Sequence, residues 1–171
     1  MKICIWITKI FDLGGTKRVV SLLANELVKE HEVTIMTYED RFREDRTMYH
    51  LSEDINVDFI DNSQFVNKHH TPAFCARYLV KKLNDRSGMF NKKSLNPILA
   101  EAIFPQKTRE KWVEYFNSQD YDVILTTASL SLRLAMIAPR LKAATIGWQH
   151  NCYDGYLHVK PVVFWQQENL L

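Results

Sequence analysis

Ile3-Cys4-Ile5-Trp6-Ile7, then Leu13-Gly14-Gly15-Thr16-Lys17, then a periodic stretch from Val19 to Val28: these opening segments decide the fold. An apolar run gives way to a glycine turn, and the turn to an amphipathic helix. Strand, turn and helix in that order aim free backbone N–H groups and the positive end of a helix dipole at one point, which suits a phosphate. Placed at the start of the chain, the unit reads as the first βα unit of a nucleotide-type fold. The glycine pair also admits a plainer reading, a tight turn that needs positive φ. The spacing is neither G-x-G-x-x-G nor G-x-x-x-x-G-K-[ST], so a dinucleotide fingerprint and a P-loop are both unsupported.

The first strand spans 2–8 and the first helix starts near Thr16, a good N-cap. Val19, Val20, Leu22, Leu23, Leu27 and Val28 form its expected inward face. A second strand spans 33–37 and a charged loop of mixed sign follows over 39–46. In a third strand, 55–60, Ile55, Val57 and Phe59 alternate with polar residues, as at a sheet edge. Thr71-Pro72 opens a helix with proline at its first position, and Arg86-Ser87-Gly88 ends it. Phe74, Tyr78, Leu79 and Leu83 recur along it at helical spacing. Asn96-Pro97 opens another helix and Phe104-Pro105 interrupts it. The segment 107–116 carries Trp112, Val113 and Phe116 on one side, read as core. A fourth strand, 123–127, is apolar enough for a central, doubly covered place; helix 129–140 and strand 143–148 follow. This alternation predicts an α/β doubly wound parallel, Rossmann-like sheet with helices on both faces, in a single domain over 1–171.

Composition narrows the function classes. The 171 residues are 46% hydrophobic and 25% charged, ordinary for a globular chain with one sizeable core. A net charge of +2 without a clustered basic face argues against a nucleic-acid partner. The short basic runs Lys81-Lys82 and Lys92-Lys93 read as solvated surface, leaving peripheral membrane contact open. Cys4, Cys75 and Cys152 are odd in number and widely spaced, which reads as reduced thiols in a cytoplasmic protein. Cys4 is expected as a small core residue. There is no signal-peptide pattern and no apolar stretch long enough to span a bilayer. His69-His70 lie in a polar loop without a ligand pattern, so no metal site is expected. No G-x-S-x-G elbow points to a hydrolase.

Ligands of such sheets bind at the carboxyl ends of the strands, where the strand order reverses. Two features converge there: the turn Gly14-Gly15-Thr16, and the polar cluster Trp148-Gln149-His150-Asn151 directly after the fifth strand. After His150-Asn151 a short loop, 152–156, leads to one more amphipathic segment, 158–171. A doubly wound domain often continues with another strand and helix, so the chain reads as the front half of something larger.

These residues resemble a family. Gly14-Gly15-Thr16-Lys17-Arg18-Val19-Val20 after a strand is similar to the opening of retaining GT-B glycosyltransferases of family GT4. Ile146-Gly147-Trp148-Gln149-His150-Asn151 resembles the segment of the same N-terminal domain that ends in a functional histidine. Tyr121-Asp122-Val123-Ile124 resembles the strand between them. The likeness covers nearly the whole chain; Lys17 departs from it, since the family often has Glu there. The resemblance implies the N-terminal, acceptor-side half of a GT-B fold. It places Gly14, Gly15, Thr16, Lys17 and Asn151 near the donor diphosphate and the acceptor, and makes His150 the catalytic residue beside the transferred sugar. It implies a nucleotide-sugar co-substrate, no other cofactor and no metal, and a glycan, glycolipid, wall-polymer or protein acceptor. The family's C-terminal domain carries a basic phosphate clamp and a Glu-x7-Glu pair, and no two glutamates here stand at that spacing. That domain is therefore expected in cis, or as a donor-binding subunit in trans, and the isolated chain is expected to be inactive. A non-catalytic Rossmann-like module that binds a phosphate ligand is the other reading.

Overall fold

The structure, a computed structural model, describes residues 1–39, 41–65, 72–87, 101, 104–127 and 129–148. Its elements are β1 (Lys2–Ile7), α1 (Gly15–Leu27), β2 (Glu32–Thr37), β3 (Asn56–Phe59), α2 (Pro72–Ser87), α3 (Gln106–Ser118), β4 (Val123–Thr127), α4 (Ser129–Ile137) and β5 (Ala144–Trp148). The chain divides into two compact units, one of Met1–Asn62 with Val113–His150, the other of Ser63–Trp112 with Asn151–Leu171.

The first unit holds a parallel sheet in the order β3-β2-β1-β4-β5. From β1 the chain winds outward through β2 to β3, then crosses back to β4 and β5 on the other side. The switch point therefore lies between β1 and β4. Register aligns Ile5 with Ile35 on one side and with Leu125 on the other. The α/β doubly wound expectation holds, with β3 at an edge and β4 inside the sheet.

Side-chain alternation makes two cores. Ile3, Ile5, Ile7, Val33, Ile35, Val57 and Leu125 share one buried cluster with Val20 and Ala24 of α1. Cys4 and Trp6 point to the opposite face and are wholly buried. There Phe116 of α3 meets the Trp6 ring edge-on, with centroids 5.2 Å apart. The Thr126 hydroxyl reaches the Ser131 hydroxyl of α4 at 3.4 Å. Helices thus lie on both faces. The close approach of α4 to β5 depends on Gly147, where an added Cβ would sit 3.2 Å from Ser131 Cβ.

Two details of α1 correct the sequence reading. Thr16 is not the N-cap: the helix begins at Gly15, with Gly14 as cap and no side-chain capping bond. Leu22 is not on the inward face but is 54% exposed, while Val20, Ser21 and Ala24 are the buried residues.

In the second unit, Phe65 stacks on Trp112 with centroids 3.8 Å apart and rings nearly parallel. Thr108 Oγ1 donates to the Phe65 carbonyl at 3.3 Å. Tyr78, Leu79 and Leu83 keep the helical spacing read from the sequence, but each is more than half exposed. Among the described residues no helix is long and apolar enough to cross a membrane.

Candidate functional site at the C-terminal edge of the sheet

Parallel strands end together, so the loops after β1 and β2 meet at one edge. Thr37 Oγ1 and the Tyr38 N–H both donate to the Thr8 carbonyl, at 3.2 and 3.3 Å. Glu39 then turns back under the loop that follows β1. Its Oε2 accepts the N–H groups of Ile10 at 2.6 Å and Phe11 at 2.9 Å. Two backbone donors that the loop would otherwise bury unpaired are satisfied by one carboxylate, itself buried.

The glycine turn is held from another direction. Tyr49 Oη accepts the Gly14 N–H at 2.8 Å and donates to the Gly14 carbonyl at 3.3 Å. The Gly14 carbonyl also takes the first helical bond, from the Arg18 N–H at 3.1 Å. The N–H groups of Gly15, Thr16 and Lys17 are left without a partner among the described residues. They form the open, electropositive end of α1.

Neither glycine is demanded by backbone strain. Gly14 has φ 161 and ψ 148, extended backbone that any residue adopts. An added Cβ there would meet only the far end of the Lys17 side chain, at 3.1 Å. At Gly15 an added Cβ would meet nothing within 4 Å among the described residues. The positive-φ explanation of the pair is therefore excluded. Lys17 folds back over the turn, with Nζ 3.4 Å from the Leu13 carbonyl oxygen.

Just past the ends of β1 and β2, Thr8, Lys9, Tyr38, Glu39 and Arg43 line an open cleft of about 450 Å³. Tyr38 Oη accepts the Trp6 indole N–H at 3.0 Å. Burial pushes the Tyr38 phenol up to about 12, although Arg133 nearby pulls the other way. The phenol is thus protonated throughout the neutral range. Lys9 reaches Asp12 at 3.8 Å, with both side chains half exposed. Arg43 has no hydrogen-bond or ion-pair partner among the described residues.

Of the sequence-predicted site residues, Gly14, Gly15, Thr16 and Lys17 come together at the head of α1. His150 and Asn151 lie outside the described residues, as do His69-His70, Asn96-Pro97, Cys152 and the segment 158–171. The described chain reaches Trp148, whose partner in register is Thr127. Because the sheet is parallel, β5 ends at the same edge as β1. Among the described residues no group of three His, Cys, Asp or Glu side chains is placed to hold a metal ion. Tyr38, Glu39, Arg43 and Tyr49 were not anticipated from the sequence. The first two sit directly after β2, as the cluster at 148–151 sits after β5, so the same rule about strand ends points to them. No family model matches the chain, and no curated protein matches it either.

Proposed function

We propose that the chain is the acceptor-side domain of a retaining GT-B glycosyltransferase of the GT4 type. It would work with a donor-binding domain in cis or in trans, moving a sugar from a nucleotide-sugar donor to a glycan or lipid-linked acceptor. One observation carries the reading. The uncapped head of α1 opens at the C-terminal edge of the sheet, and at Gly15 nothing among the described residues fills the space where a side chain would stand.

Three free N–H groups and a helix dipole are suited to the negative charge that builds on a leaving diphosphate. They are fixed before the reaction, because Tyr49 and Glu39 hold the loop that carries them. The reading keeps His150 in its role beside the transferred sugar. It is supported by the parallel ending of β5, two residues earlier in sequence.

The test pairs binding with transfer. The chain alone should bind UDP-, GDP- and ADP-sugars weakly or not at all, because the donor belongs to the other domain. Tight binding would favour the alternative, a non-catalytic phosphate-binding module, for which the cations Lys9 and Arg43 on the cleft speak. With the donor-binding domain restored, Gly15→Val should keep the fold and lower transfer at least about tenfold, or ~1.4 kcal/mol in the barrier. His150→Ala should lower turnover strongly with the fold intact. Unchanged transfer in both variants would remove the site.

A further inference from the structure

The cleft at the ends of β1 and β2 has features that the head of α1 does not account for. It lies over the ends of β1 and β2, and its lining gathers two cations from two different loops, Lys9 after β1 and Arg43 after β2. Arg43 spends its guanidinium on no partner among the described residues. Lys9 has only the long contact to Asp12, 3.8 Å between half-exposed groups. Such a pair contributes little and is readily exchanged for a better anion.

Glu39 is the one carboxylate among the described lining residues. An anion in the cleft would be repelled by it if its charge were bare. Its Oε2 is already engaged by the Ile10 and Phe11 N–H groups, and those dipoles offset part of the charge. Thr8 and the protonated phenol of Tyr38 add hydroxyl groups to the same walls. A guanidinium fork, an ammonium and two hydroxyls around one space match a tetrahedral anion with three terminal oxygens.

We propose that the cleft lined by Thr8, Lys9, Tyr38, Glu39 and Arg43 binds the phosphate group of a phosphorylated acceptor, with Lys9 and Arg43 as its charged contacts. The word acceptor rests on the functional reading above; the phosphate site itself does not. The ligand is a phosphate monoester, carried either on a small polyol or sugar or on a lipid.

The experiment is a titration of the full chain, followed by amide chemical shifts, with sodium phosphate against sodium chloride at matched ionic strength. Saturable shifts centred on Lys9, Glu39 and Arg43 are expected in phosphate and not in chloride. The double variant Lys9→Ala/Arg43→Ala should weaken phosphate binding at least about tenfold; both side chains are exposed, so the fold is kept. Glu39→Gln, which can still accept the two N–H groups, should tighten binding a few-fold by removing a charge. Glycerol 3-phosphate and a short-chain phosphatidate below its micelle concentration then identify the carrier by which binds more tightly. Equal shifts in chloride, or a double variant that binds like the parent, would overturn the site. That failure leaves the nucleotide-sugar test untouched, and tight nucleotide-sugar binding would overturn the glycosyltransferase half without bearing on phosphate at Lys9 and Arg43.

Discussion

Glu39 shows how much one side chain can organise. Among the described residues its carboxylate is the only partner of the Ile10 and Phe11 N–H groups, and those residues begin the loop that ends in Gly14 and Gly15. Glu39→Ala leaves two backbone donors unpaired inside the protein. It should cost about 2–4 kcal/mol of stability in urea unfolding, and Glu39→Gln clearly less. Equal losses in the two variants would mean that packing, not hydrogen bonding, accounts for the effect. The glycines divide in the same physical way. Gly15→Ala meets open space, so stability should stay within about 0.5 kcal/mol of the parent. Gly147→Ala must push Ser131 aside and should cost about 1–3 kcal/mol. Adding Ser131→Gly should recover part of that loss, and a double variant no better than Gly147→Ala would refute the contact.

Elements were read from the sequence with unequal success, and the reasons are local or distant accordingly. β1 and β4 were legible because a strand covered on both faces is apolar at nearly every position, as in Ile3 to Ile7 and Val123 to Leu125. β3 was legible as an edge because Val57 alternates with Asn56 and Asp58. The start of α1 was not. Thr16 is a good N-cap by preference, but Gly14 is bound by Tyr49, 35 residues away, and that contact moves the boundary. Helical spacing identified α2 without revealing what its apolar residues face; Tyr78, Leu79 and Leu83 are in fact exposed. The glycine turn of the candidate site was visible because it is contiguous. The cleft was not, since Lys9, Tyr38 and Arg43 become neighbours only when β1 and β2 end side by side.

At the scale of the molecule, the face that carries Cys4 and Trp6 has buried protons. Burial pushes the Cys4 thiol far above its ordinary 9.0. Tyr38 rises from 10.0 to about 12 for the same reason. Tyr115 and Tyr121 are raised too, by burial first and then by neighbours that include the Asp58 carboxylate, to which Tyr115 donates at 2.8 Å. In the folded chain these groups keep protons that the unfolded chain releases. The unfolded state therefore binds fewer protons from about pH 9 upward, and the slope of stability against pH is negative there. Their contribution is complete below that range and lost as pH climbs through it. The urea midpoint should be lower at about pH 10.5 than at about pH 8. A midpoint that holds or rises would show that these hydroxyls and the thiol are open to water.

The sheet order has a consequence during synthesis. β1 is the middle strand, yet its second neighbour is made long after the first; Lys2 donates its N–H to Asp122, 120 residues further on. At a translation rate of roughly 5–20 residues per second, one flank of β1 waits on the order of ten seconds for β4 to leave the ribosome. Throughout that interval a strand apolar from Ile3 to Ile7 offers an unsatisfied ladder to any passing polypeptide. The nascent chain is thus most exposed to mispairing while it is still attached to the ribosome, and a holding chaperone has its target there.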